Sequence, residues 1–201
     1  MQKQATVVSQ PSLLKSQSTT LSQQQGGLLS ATPKFMFGHK GDVRNNLHFL
    51  DNTTVCYPVG HNVVFYSIDD KSQNFLPGIE GSEGITALAL SANRKQLAVC
   101  EKSAKAICSV YNVGKMLETF KDSQSKKLGS STYDQATIRK RKVLISNDST
   151  ARAFISADFS ATNDKLLVTL GDDLSIIVWQ FDKMKCLALE TLQLHKDSIP
   201  R

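Results

Sequence analysis

The sequence predicts an all-β chain in which about three copies of one four-stranded unit follow one another. Three observations predict it. Short runs rich in Val, Ile, Phe, Tyr and Thr alternate with polar breaks along most of the chain. No segment carries a sustained apolar stripe at helical spacing, so helix is expected to be minor. The runs come in sets of three, and the third run of each set ends in an aromatic residue, at Tyr66, Tyr111 and Trp179.

The elements follow in order. Residues 1–33 are rich in Ser, Thr and Gln, with Gln23-Gln24-Gln25 followed by Gly26-Gly27, and predict a disordered tail ahead of a folded region at 34–201. The first set of strands is Asn46–Leu50, Thr54–Tyr57 and Val63–Ile68. The second is Ile85–Leu90, Gln96–Cys100 and Ile107–Val113, and the third is Phe154–Phe159, Lys165–Leu170 and Ser175–Phe181. The breaks are turn chemistry: Asp51-Asn52, Ala92-Asn93-Arg94, Thr162-Asn163-Asp164 and Gly171-Asp172-Asp173. A polar stretch from Lys115 to Lys140 predicts a long surface loop inserted after the third strand of the second set. Tyr66 and Tyr111 are 45 residues apart, and Tyr111 and Trp179 are 68 apart. Removing the 26 residues of the insertion brings the second spacing to 42.

A period of 42–45 residues is that of a WD-type β-propeller blade, which has four strands. Fourth-strand candidates stand after each third strand, at Asn74–Leu76, Lys142–Ile145 and Cys186–Leu192. Packing explains the period, because one blade cannot bury both of its faces and stacked blades cover one another. The near-continuous apolar runs ITALAL and KLLVTL suit strands covered on both sides. The expectation is therefore about three blades of an incomplete propeller, seven-bladed when whole. An open arc of three leaves two apolar faces exposed, so the chain is expected to be a piece of a longer protein, with a stub that closes only with another subunit as the alternative.

Composition narrows the setting. The chain has 201 residues, a 40% hydrophobic share and no run approaching 18 apolar residues, so no membrane span is expected. Residues 1–30 lack the apolar centre of a signal peptide, which points to the cytoplasm. Cys56, Cys100, Cys108 and Cys186 lie far apart and suit neither a zinc site nor a disulfide scaffold, so they read as reduced core residues. A formal net charge of +6 and a pI near 9.1 suggest an acidic partner, such as nucleic acid, an anionic membrane or the surface of a microtubule.

Several residues invite a closer reading. Gly38-His39 precedes the first strand, where a WD repeat anchors its blade through a histidine; an ordinary turn histidine is the alternative. In Gly171-Asp172-Asp173 the expected role of Asp172 is to cap backbone amides, with a metal site as the rival, although no further ligands cluster nearby. Trp179 keeps the aromatic of the repeat's Trp-Asp pair and loses the acid, and it is expected in the core. Gly38, His39, Tyr66, Tyr111, Asp172 and Trp179 are thus candidate structural positions. The densest basic run, Arg139-Lys140-Arg141-Lys142, is a candidate partner-contact loop, with a nuclear import signal and a plain solvated face as alternatives. Aromatics are not interleaved with it, which disfavours nucleic acid. There is no G-x-S-x-G, Walker loop, H-E-x-x-H or G-x-G-x-x-G, and His39, His48, His61 and His195 are scattered. The expectation is no catalysis, no cofactor, no metal and no small-molecule substrate.

Longer strings carry a resemblance. Phe37-Gly38 precedes Val43-Arg44-Asn45-Asn46-Leu47-His48-Phe49, and Tyr57-Pro58-Val59-Gly60-His61-Asn62 and Phe75-Leu76-Pro77-Gly78 follow. Then come Ala87-Leu88-Ala89-Leu90-Ser91-Ala92-Asn93-Arg94 and Arg139-Lys140-Arg141-Lys142-Val143-Leu144. In this order they resemble the N-terminal WD-repeat region of the cilia- and flagella-associated protein fifty-seven family, also called WD-repeat protein sixty-five, over about residues 35–190. The resemblance implies a large scaffold or adaptor with two propellers and a long coiled coil, in the axoneme of motile cilia. It implies axonemal partners, namely inner dynein arm subunits and the doublet microtubule, and this chain would supply the first three blades of the first propeller. The chain departs from the family in its Gln/Ser tail, in the insertion and in the absence of a coiled coil, which puts dynein and microtubule anchoring by this segment in doubt. A generic cytoplasmic WD-repeat adaptor unrelated to cilia is the alternative.

Overall fold

A computed structural model describes residues 34–125 and 141–193. They lie in one compact unit, Thr32–Arg201; the expected tail at 1–33, residues 126–140 of the expected insertion, and His195 lie outside the described residues. Among the described residues twelve strands form three antiparallel sheets of four, each in sequential order. The first sheet is β1 (His48–Phe49), β2 (Thr54–Val59), β3 (Asn62–Ser67) and β4 (Ser72–Pro77). The second is β5 (Gly84–Leu90), β6 (Gln96–Lys102), β7 (Ile107–Asn112) and β8 (Lys142–Leu144), and the third is β9 (Phe154–Phe159), β10 (Leu166–Gly171), β11 (Ser175–Gln180) and β12 (Lys185–Thr191). The all-β expectation holds, including the fourth strand of each set.

The turns form for the reason the sequence suggests. Asp51 Oδ1 accepts the amides of Thr53 and Thr54, at 2.9 and 2.6 Å. Asn93 Oδ1 accepts the Lys95 amide at 2.9 Å, and Asn163 Oδ1 accepts the Lys165 amide at 3.1 Å. A short polar side chain thus satisfies amides that the ladder leaves free at the reversal between the first and second strand of each sheet.

Side-chain alternation divides the core into two interfaces. On β6, Leu97 and Val99 point toward the first sheet, while Ala98 and Cys100 point toward the third. The first interface joins Val63, Phe65 and Leu76 of sheet one to Leu88, Leu97, Val99 and Tyr111 of sheet two. The second joins Ala87, Ala89, Cys100 and Val110 of sheet two to Phe154, Phe159, Leu167 and Trp179 of sheet three. The volumes are complementary: sheet two offers Ala87, Ala89, Ala98 and Cys100 where sheet three offers the rings of Phe154, Phe159 and Trp179. Phe154 meets Trp179 edge-on, with centroids 6.4 Å apart, and Phe159 meets Phe181 in the same way at 5.5 Å. Each buried ring or aliphatic chain contributes about 1.5–3 kcal/mol of transfer free energy.

One expectation is corrected. The first part of the stretch from Lys115 to Lys140 is not loop: α1 runs Val113–Ser125. Asn112 Oδ1 accepts the Lys115 amide at 3.0 Å and caps the helix. Val113, Met116, Leu117 and Phe120 repeat at i, i+3, i+4 and i+7, and they pack on the first interface, with Phe120 5.2 Å from the Phe65 ring. The stripe is short, and the polar residues around it hide it in the sequence.

Candidate functional site

Strand order gives every sheet two ends. The connector end carries the turns between second and third strands and the segments that lead from one sheet to the next. The opposite end carries the turns between first and second strands and the links from third to fourth.

At the connector end of sheet three, Asp173 is the hub. Its Oδ2 accepts the Ser149 hydroxyl at 2.9 Å and the amide and hydroxyl of Thr150 at 2.9 and 3.0 Å. Its Oδ1 accepts the Ser175 amide at 3.0 Å and the Ser175 hydroxyl. Partial burial alone would raise this carboxyl, but the donors from Ser175, Ser149 and Thr150 outweigh it and hold the group far below the usual range. The carboxylate therefore stitches the segment entering β9 to the β10–β11 turn. Gly171 makes room for it, since a Cβ there would lie 2.5 Å from Asp173 Oδ1 and 2.8 Å from the Ala151 Cβ.

Sheet two repeats the device with Glu101, which is only 1% exposed. Its Oε1 accepts the Ile79 amide at 2.9 Å and the Ser82 hydroxyl at 3.1 Å, fastening the segment that enters β5. Here too a glycine permits the approach: a Cβ on Gly78 would stand 2.6 Å from Glu101 Oε1 and 2.8 Å from the His61 carbonyl. Nearer the surface, Glu83 pairs with Lys102 at 2.8 Å and with Arg152 at 2.5 Å, linking sheets two and three. The Lys102 ammonium, with Arg152 beside it, holds Glu83 below the usual carboxylate range.

Sheet one has no carboxylate in its β2–β3 turn, which is Gly60-His61. The segment entering it is held through its backbone, by the Lys40 amide on the Pro58 carbonyl at 2.9 Å and the Asn46 side chain on the Lys40 carbonyl at 3.1 Å. The expected histidine anchor is corrected accordingly. Gly38 and His39 are exposed, the His39 ring lies 6.3 Å from that of Tyr57, and its imidazole makes no hydrogen bond among the described residues.

The remaining singled-out residues fall as follows. Tyr66, Tyr111 and Trp179 each occupy the fifth position of a third strand. Tyr111 and Trp179 point toward the preceding sheet and are buried, whereas Tyr66, on the far side of sheet one, is half-buried. Trp179 Nε1 donates to Thr169 Oγ1 at 2.8 Å, which satisfies the one polar atom of a buried ring. Asp172 accepts the Arg152 amide at 2.9 Å, so it does cap a backbone group, but the larger network belongs to its neighbour Asp173. Both oxygens of Asp173 accept hydrogen bonds from the chain's own backbone and hydroxyl groups. Cys56, Cys100 and Cys108 are free and fully buried, and Cys186 is half-buried.

At the opposite end, Arg139 and Lys140 of the basic run lie outside the described residues, and Arg141 and Lys142 are half-buried. The Lys142 ammonium donates to the Asp182 carbonyl at 3.0 Å and sits 5.7 Å over the Phe181 ring, so it joins sheets two and three instead of facing solvent freely. Asn93 bridges the same two sheets through its bond to Asp164 Oδ2 at 2.7 Å. Sequence reasoning missed Glu101, Asp173 and α1. The signal for the carboxylates was an acid at or just past the end of a second strand in two of the three sets.

Three stacked four-stranded antiparallel sheets, tied at one end by turn carboxylates, are blades of a WD-type β-propeller. No protein-family model matches the chain. Over most of its length the chain resembles cilia- and flagella-associated protein 57. It is 32% identical to that protein from Mus musculus over 156 residues, which is 77% of this chain and 11% of the relative. It is 29% identical to cilia- and flagella-associated protein 57 C from Tetrahymena thermophila over 171 residues (82% of this chain, 12% of the relative). With 57 A from the same organism it shares 25% over 194 residues, covering 83% and 15% of the two chains. The chain thus spans between a ninth and a seventh of the length of these relatives. The similarity supports a cilium-related role and a ciliary or flagellar location.

Proposed function

We propose that this chain is a non-catalytic scaffold of the motile-cilium axoneme, whose propeller turns dock inner dynein arm or doublet-microtubule components. The observation that carries the reading is the similarity to cilia- and flagella-associated proteins across 77–83% of the chain. The chemistry of the blade ends agrees with it. The carboxylates of Glu101 and Asp173 at the connector end accept backbone and hydroxyl donors and hold turns together, a structural use of these groups. A scaffold needs stiff turns at fixed separation, and stacked blades supply them.

The test is an immunoblot with an antibody raised against residues 40–110, on isolated axonemes and on deciliated cell bodies, followed by chemical crosslinking on the axonemes. The expected result is a product in axonemes whose crosslinks reach dynein arm or tubulin chains. A product confined to cell bodies would replace this reading with a cytoplasmic adaptor unrelated to cilia.

A further inference from the structure

The two ends of blades two and three differ in how their cations are used. At the connector end Lys102 and Arg152 pair with Glu83, and Lys105, which donates to the Asn147 side chain at 3.1 Å, shares that end with the acids Glu83, Glu101, Asp148, Asp172 and Asp173. At the opposite end the turns and strand ends carry Arg94, Lys95, Lys142, Lys165, Lys183 and Lys185 against two acids, Asp164 and Asp182, and the link through α1 adds Lys115, Lys121 and Arg141 against Glu118 and Asp122. Asp164 receives the Asn93 amide, and Asp182 meets Lys165 at only 3.9 Å. Arg94, Lys95, Lys183 and Lys185 are exposed and have no carboxylate partner among the described residues. The turns that carry them are fastened across the blades by the Asn93–Asp164 and Lys142–Asp182 bonds, so the charges sit on a stiff platform.

We propose that this end of blades two and three binds an acidic polypeptide segment, rich in glutamate or aspartate. The proposal deepens the scaffold reading and rests on it only in taking the partner to be a protein. Unneutralised cations on a rigid surface raise the local concentration of anions and gain from charge complementarity. A polypeptide fits better than nucleic acid, because the rings at this end, Phe159 and Phe181, are buried and leave no platform for base stacking. It fits better than a membrane, because the large apolar side chain exposed in these turns is Met184, without the apolar stripe that interfacial insertion needs. Five of the six cations of the turns and strand ends are lysines, mobile point charges that suit carboxylates spread along a flexible chain.

The experiment uses the full 201-residue chain and a fluorescein-labelled oligoglutamate peptide, read by fluorescence anisotropy. Saturable binding is expected at about 0.05 M salt and at least roughly tenfold weaker binding at about 0.2 M. The variant K95E/K183E/K185E should bind about tenfold more weakly, K95Q/K183Q/K185Q should fall between it and the parent, and K105E at the connector end should stay within about twofold. Unchanged circular dichroism in each variant separates lost charge from lost fold, and the glutamine variant keeps the test open if the glutamate variant misfolds. No binding at low salt, or equal loss in K105E, would overturn the proposal. So would tighter binding of oligothymidylate or of phosphatidylserine vesicles than of oligoglutamate. Oligoglutamate binding by a chain absent from axonemes would sink the ciliary scaffold reading and leave the acidic-partner site standing.

Discussion

Removing the Asp173 carboxylate tests the idea that turn acids hold the blades in place. In Asp173→Ala five hydrogen bonds disappear. Thr150 is exposed, so water replaces its lost partner, and the Ser149 and Ser175 hydroxyls still bond one another at 3.0 Å. The donors left in difficulty are those of Ser175, which is 2% exposed. One or two buried donors without acceptors, at about 1–3 kcal/mol each, set the cost at about 2–4 kcal/mol. For a domain of this size that is a fall in Tm of roughly 5–15 °C. The pH dependence gives a second readout with a definite sign. The folded-state pKa of Asp173 lies below its unfolded value near 3.8, so its contribution is complete above that value and is lost as pH falls through it toward the folded pKa. The gap in Tm between parent and Asp173→Asn should therefore be wide at about pH 7 and narrower at about pH 3, where the unfolded chain takes up the proton that the folded carboxylate still refuses. Thermal melts followed by circular dichroism measure both. A Tm within about 1 °C of the parent for Asp173→Ala at neutral pH, or a gap that ignores pH, would refute the reasoning.

Three further outcomes are expected. Gly78→Ala should cost about 1–3 kcal/mol in urea unfolding, because the new Cβ meets a buried carboxylate and a backbone carbonyl that cannot both retreat. Phe120→Ala should cost about 3 kcal/mol by the same assay and speed proteolysis within α1, since that ring seats the helix on Phe65. In the native chain at about pH 8 a disulfide reagent should label Cys186 first, while Cys56, Cys100 and Cys108 wait for unfolding. Burial pushes the Cys56 thiol up to about 12, so almost no thiolate is present there to attack. More than one fast thiol would contradict the packing.

Strands were the legible part of the fold. Alternating or doubly apolar runs such as TVCY, QLAVC and SIIVWQ, bounded by Asx turns, carry their own period, and a strand's exposure on one face or none can be read from it. Helix α1 was not legible because its apolar stripe has only four members set among Lys, Glu and Ser. The carboxylate hubs were legible as residue types and not as roles. Glu101 finds its donor 22 positions upstream at Ile79, and Asp173 finds Thr150 23 positions away, distances that no local pattern encodes. The basic end shows the same limit from the other side. The dense Arg139–Lys142 run is the evident basic cluster in the sequence, yet Lys142 is engaged internally, and the free cations are scattered between Arg94 and Lys185 and meet only through topology.

The lopsided sheet two also bears on how such arrays change over time. Its face toward blade three presents Ala87, Ala89, Ala98 and Cys100 beside Cys108, Val110 and Leu144, and its other face Leu88, Leu97, Val99 and Tyr111. A blade of that shape meets Val63, Phe65 and Leu76 of one neighbour with its bulky face and the rings of the other with its alanines. Duplicating it in tandem would set its alanines against its own leucines and tyrosine, with neither the depth nor the rings of Phe154 and Trp179 to fill the gap. Once volumes have diverged in this way, blades can no longer be gained, lost or shuffled singly without repair on both sides. The order of the repeats is locked by steric memory even where their sequences have drifted far from any common pattern.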